Sequence, residues 1–166
     1  RMFAPNAKFY QASSSEMFGN SVDDDGVQRL TTPMNPVSPY GCAKLLAFNL
    51  VRHYRHAYGL HACNGILFNH ESPRRGSNFV TNKVVKTAVS IKKGLQDKLE
   101  LGNMDSKRDW GHSKDYVVQN PKYMRPEELR YLKGDPSKAR EILGWEQEYT
   151  FETMMAEMVD YWMEVL

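Results

Sequence analysis

Two short apolar runs bracket a helix-forming stretch, and that order leaves few ways for the chain to fold. Lys8-Phe9-Tyr10-Gln11-Ala12 reads as a short buried strand that runs into Ser13-Ser14-Ser15. Ser38-Pro39 opens a helix, with Ser38 suited to the N-cap and Pro39 to the first helical position. Leu45, Phe48, Val51 and Ala57 supply its apolar stripe, and Gly59 ends it after Tyr58. His61 to Phe68 is the next strand, with Ile66-Leu67-Phe68 as its buried end. It opens into the polar loop Asn69-His70-Glu71-Ser72-Pro73-Arg74-Arg75-Gly76. A strand, helix, strand order with a polar loop after the second strand is how open parallel sheets present ligand sites. The expected class is α/β.

The other elements follow from punctuation and period. Residues 19–38 are loop, because Gly19, Asp23-Asp24-Asp25, Gly26, Pro33 and Pro36 break any long element. Residues 79–94 form a second amphipathic helix on Val80, Val84, Val85, Ala88 and Ile91, closed by Gly94, and Leu99 to Leu101 reads as a short strand. Past Val117 the organisation changes: Gln119-Asn120-Pro121 is loop, and Tyr123 to Lys133 reads as extended or irregular. Asp135-Pro136 starts a short helix over 137–143, stopped by Gly144. Thr150 caps a last helix whose Phe151, Met154, Met155, Met158, Val159, Trp162 and Val165 form a stripe for a core or an interface.

Tyr40 and Lys44 lie four residues apart at a helix start, so both project from one face. An ammonium beside a phenol favours the phenolate, which equips Tyr40 for proton exchange. A hydroxyl from the Ser-rich strand end would hold the oxygen being oxidised. This is the logic of the Ser-Tyr-Lys site of short-chain dehydrogenase/reductase families, although surface helices also produce Tyr-x-x-x-Lys. His53 and His56 have no evident third partner and read as a solvated helix face rather than a metal site. Lys107-Arg108-Asp109 alone reads as an ion-paired turn.

Lys and Arg total 22 against 20 Asp and Glu, a net charge of +2, so nothing general argues for nucleic acid or a membrane surface. No apolar run approaches a bilayer span, and no signal-peptide pattern opens the chain. Cys42 and Cys63 read as reduced packing residues of a cytoplasmic protein.

Beyond these local readings, the chain resembles the GDP-mannose 4,6-dehydratase family of extended short-chain dehydrogenase/reductases. The resemblance rests on Phe9-Tyr10-Gln11-Ala12-Ser13-Ser14-Ser15-Glu16, Ser38-Pro39-Tyr40-Gly41 and the run YGLHACNGILFNHESPRRG from Tyr58 to Gly76. It continues through GLQDKLELGN, KRDWGHSKDYV, NPKYMRP and LKGDPSKAREILGW. It implies a Rossmann-type sheet, tightly bound NADP, and conversion of GDP-mannose to GDP-4-keto-6-deoxymannose on the way to GDP-fucose and other deoxyhexoses. By the same resemblance Tyr40 takes the C4 hydroxyl proton, aided by Lys44, which also touches the nicotinamide ribose. Ser14, where the family has Thr, holds the C4 oxygen. Glu16 is the acid/base for C5 and the C6 hydroxyl, a second base that C4 epimerisation does not need. His70 and Arg75 match NADP contacts, and Asn69, Arg108, Arg125 and Glu128 match GDP-mannose contacts. A homo-oligomer, dimer or tetramer, is implied.

Two departures qualify the match. None of the eleven glycines has the spacing of the Gly-rich turn that holds a cofactor diphosphate, so the first half of the Rossmann domain is absent, and the chain opens at Arg1. After Val117 the chain passes directly to Gln119-Asn120-Pro121-Lys122 where the family has a long intervening segment. The expected organisation is therefore residues 1–118 as the C-terminal part of the NADP-binding domain and 119–166 as a remnant of a small α+β substrate domain. A sheet without its first strands exposes apolar edges. A catalytically inactive fragment associating with full-length subunits, and a related nucleotide-sugar epimerase or dehydratase, are the rival readings.

Overall fold

The computed structural model describes residues 3–4, 6–116 and 133–166. They divide into two compact units, one of residues 3–4 and 6–68 with 133–135 and one of residues 69–116 with 136–166.

In the first unit, strand β1 (Phe9–Ser14) leads through a 3-10 turn (Ser15–Phe18) and a long loop to helix α1 (Pro39–Tyr58), and α1 returns to strand β2 (Ala62–Leu67). β1 and β2 pair in parallel, in register from Phe9 with Ala62 to Ser14 with Leu67. The helix begins and ends as its sequence dictates. Ser38 Oγ accepts the Gly41 N–H, Pro39 occupies the first turn, and Gly59 closes the helix in the left-handed region at φ 61°. Asn64 donates from Nδ2 to the Phe48 carbonyl of α1, and Ser13 Oγ bonds Asn64 Oδ1, so these residues mark the sheet face that α1 covers.

The strands are less buried than their apolar composition suggests. Phe9 is 53% and Tyr10 47% exposed, and Ile66, Leu67 and Phe68 are half-buried. Among the described residues β1 pairs with β2 alone, so its apolar side chains stay open to solvent, as the exposed-edge reading expects. On α1 only Val51 of the expected stripe is buried, Ala57 is exposed, and Leu46 is 63% exposed on the far side. Cys42 and Cys63 are free thiols, but both are exposed rather than packed.

The loop between Gly19 and Ser38 is ordered by charge. Arg29 bridges Asp23 (3.0 Å), Asp25 (2.6 Å) and Asp135 (3.3 Å), and its hydrogen bond to Asp25 holds that carboxyl down at about 2. Below the loop Met17 and Phe18 are almost wholly buried.

The second unit holds strand β3 (Asn69–Glu71), helix α2 (Val80–Lys92), strand β4 (Trp110–His112) and the helices α3 (Ser113–Tyr116), α4 (Ser137–Leu143) and α5 (Phe151–Val165). β3 pairs in parallel with β4. Its core joins α2 to α5 through Val85, Met154 and Met158, packed by Trp110, Tyr149, Met155 and Trp162. The Met stripe of α5 is therefore core, with Thr150 capping it as expected, while Phe151, Val159 and Val165 remain exposed. A polar cluster ties β4 to α5. His112 is buried with Nε2 2.8 Å from Glu157 Oε2, stacks on Tyr149 at 3.9 Å, and Lys114 donates to Tyr149 Oη.

Several local expectations change in this unit. Residues 69–71 are a strand rather than loop, residues 99–101 form no strand, and β4 and α3 arise over residues 110–116, for which the sequence reading gives no element. The buried face of α2 carries Thr81, Asn82, Thr87 and Ser90 beside Val85 and Val89, whereas Val80 and Ile91 face solvent. The rotation has a cause: Thr81 donates to Glu71 at 2.6 Å and Asn82 Oδ1 accepts from Trp162 Nε1 at 2.6 Å, so polar groups are satisfied inside. Pro136, one residue later than expected, is the N-cap of α4. The expectation for residues 123–132 lies outside the described residues.

Candidate active site

The C-terminal end of β1 gathers four of the side chains singled out in the sequence. Ser14 closes the strand, and its Oγ accepts the Glu16 N–H at 3.3 Å, which starts the 3-10 turn and turns the chain at Glu16. The start of α1 meets this turn directly. Ser38 Oγ, which accepts from Gly41 N–H at 3.0 Å, also donates to Glu16 Oε2 at 3.3 Å. Tyr40, 36% exposed, stands between those two capping partners in the chain. One turn on, Lys44 Nζ donates to the Ala12 carbonyl at 2.8 Å and lies 5.4 Å from the centre of the Tyr40 ring. Ser14, Glu16, Tyr40 and Lys44 thus lie together where the end of β1 meets the start of α1.

Gly41 is what permits the approach. A Cβ there would lie 2.8 Å from the Glu16 carbonyl oxygen and 2.9 Å from Pro36 Cβ, a main-chain atom and a ring atom that cannot swing aside. Gly41→Ala should therefore push α1 off the turn at a cost of about 1–3 kcal/mol. Thermal unfolding will show the midpoint falling by several degrees; an unchanged midpoint would mean the contact is looser than described.

The remaining expected residues lie in the second unit or beyond the described chain. Asn69 and His70 sit half-buried on β3. Arg75 lies with Nε 3.0 Å from Glu71 Oε2, and its guanidinium packs 3.4 Å from the centre of the Phe79 ring. Glu71 is almost wholly buried, and burial pushes its carboxyl up against the opposing pull of Arg75 and the Thr81 hydrogen bond. Arg108 donates from Nη1 to the neighbouring Lys107 carbonyl. Arg125 and Glu128 lie outside the described residues.

Sequence reading missed three parts of this arrangement: the Ala12 carbonyl that orients Lys44, the Ser38 contact to Glu16, and the buried Glu71. Ser38 carried a signal, but only for capping. Glu71 carried none, since a carboxylate after an apolar strand reads as exposed loop.

A family model described as GDP-mannose 4,6 dehydratase matches residues 1–119 and, as a second piece, residues 113–158. The GDP-mannose 4,6-dehydratase of Yersinia enterocolitica serotype O:8 is 39% identical over 223 residues, covering 92% of this chain and 59% of that protein. The GDP-mannose 4,6 dehydratase 2 of Arabidopsis thaliana is 42% identical over 197 residues, covering 92% of this chain and 52% of its own length. The chain thus spans between about half and three fifths of the length of these curated relatives. Both alignments are longer than the chain itself, so the relatives carry sequence with no counterpart here, and the family match breaks where the gap after Val117 was expected. Among solved structures, RMD from Pseudomonas aeruginosa complexed with NADPH superimposes with a TM-score of 0.84 at 20% identity, covering 97% of this chain and 68% of that one. That likeness establishes the Rossmann-type α/β fold.

Proposed function

Since the chain belongs to the GDP-mannose 4,6-dehydratase family, we propose that it carries the acid/base half of a dehydratase site acting on GDP-mannose. The observation that carries this reading is the Glu16 carboxylate held by Ser38 at the helix start, two residues before Tyr40, whose ring centre lies 5.4 Å from the Lys44 ammonium. A C4 epimerase needs one proton acceptor at C4; a second, anchored carboxylate is the equipment for elimination next to a ketone.

NADP is the cofactor of this reading, and the donors present suit its nicotinamide ribose. Lys44 spends one ammonium proton on Ala12 and keeps two for ribose hydroxyls. When bound, NADP would accept hydride from C4 and return it at C6. The protein's residues do the proton work. Ser14 positions the C4 oxygen, and Tyr40 takes the C4 hydroxyl proton. Glu16 then removes the C5 proton, now acidified by the adjacent ketone, and gives a proton to the departing C6 hydroxyl, which leaves as water. His70 and Arg75 are assigned to the cofactor, and Asn69, Arg108, Arg125 and Glu128 to GDP-mannose, with guanidinium forks suited to phosphate and ribose oxygens. Residues 1–118 then serve as the cofactor-side domain and 119–166 as part of the substrate side.

Among the described residues no helix is long and apolar enough to cross a membrane. We read the protein as cytoplasmic, in keeping with two exposed free thiols. A homo-oligomer is part of the same reading, supported by the exposed Leu46 and Leu50 on α1.

The test is to purify the gene product carrying these residues, denature it, and assay released NADP(H) alongside GDP-mannose turnover. Bound NADP(H) with a 4-keto-6-deoxy product is expected. Turnover to a C4 epimer, or a product retaining its C6 hydroxyl, would overturn the reading.

A further inference from the structure

The Ser38 hydroxyl does two things at once. Its oxygen accepts the Gly41 N–H at 3.0 Å, and its proton is directed to Glu16 Oε2 at 3.3 Å. The second contact is not incidental to loose packing, because the Glu16 main chain presses on Gly41 so closely that no Cβ fits between them. Glu16 is therefore fixed to the start of α1 at two points, backbone on Gly41 and carboxylate on Ser38. Tyr40 is the residue between those points.

We propose that Ser38 is a positioning residue that holds the Glu16 carboxylate at the start of α1, in register with Tyr40, through both of its protonation states. The proposal rests on the dehydratase reading of Glu16. With Glu16 ionised, Ser38 donates to it; with Glu16 protonated, the hydroxyl rotates and its remaining lone pair accepts, since Gly41 occupies only one. The anion also sits at the positive end of a 20-residue helix, which favours the ionised base before C5 is deprotonated. The ionisable groups at this end of α1 are Tyr40, Cys42 and Lys44, and all three stay in place in the variants below.

Glycine is the informative replacement, because it is itself a favoured N-cap residue yet carries no hydroxyl. With 13C-labelled glutamate, the Glu16 carboxyl titration in Ser38→Gly should move up by about half to one pH unit, since a donor to the charged form is lost. Ser38→Thr should restore the wild-type midpoint. In the gene product carrying these residues, the acidic limb of kcat/KM should move by the same amount, up to about tenfold in rate below it. An unmoved midpoint in Ser38→Gly, or an equal shift in Ser38→Thr, overturns the proposal. If the midpoint moves while Glu16→Gln still forms the 4-keto-6-deoxy product, the contact stands, but Glu16 is not the base and the role assigned to Ser38 falls with it.

Discussion

Glu16→Gln is expected to stop the loss of water while leaving oxidation at C4 in place. Formation of the 6-deoxy product should drop by about 10²–10⁴-fold, the usual worth of a positioned acid/base group. The side chain remains the same size and its amide oxygen can still accept from Ser38, so the turn, the start of α1 and the unfolding midpoint should be preserved. The sugar then carries a ketone at C4 but cannot lose its C5 proton. Quenching with borodeuteride should place one label at C4 of a hexose that keeps its C6 hydroxyl, in amounts close to one per site. Wild-type rates of 6-deoxy product from this variant would remove Glu16 from the mechanism.

The second large effect is expected at Tyr40. Tyr40→Phe takes away the group that accepts the C4 proton but keeps the ring that faces the Lys44 ammonium. The loss should again be about 10²–10⁴-fold, at an earlier point. No ketone forms, so the quench that labels Glu16→Gln finds nothing at C4. This difference orders the two residues along the reaction, which a rate alone does not do. A labelled ketone from Tyr40→Phe would mean that another group accepts the C4 proton.

How far the sequence carries depends on whether a signal is local. Ser38-Pro39, Gly59 and Thr150 mark helix ends because the chemistry of capping lies within a few residues, and all three act as expected. Tyr40 and Lys44 are legible as a pair because one helical turn separates them. Burial depends on partners distant in the chain. Phe9 and Tyr10 look like core, yet the second neighbour a buried strand needs is not among the described residues. α2 turns a Thr- and Asn-rich face inward because Glu71 and Trp162 supply hydrogen-bond partners no periodicity count can see. β3 and β4 are three residues each, too short and polar for any pattern. In the site, Ser38 and Glu16 are 22 residues apart across a Pro-rich loop, so their contact exists only in the fold. The Ser14, Glu16, Tyr40 and Lys44 grouping, by contrast, followed from family text.

The most direct test of the acid/base account uses GDP-mannose deuterated at C4 with the gene product carrying these residues. A 6-deoxy product is expected with deuterium at C6, none at C4, and a solvent-derived hydrogen at C5 after reaction in tritiated water. Deuterium still at C4, or label lost to water with the C6 hydroxyl intact, would contradict it.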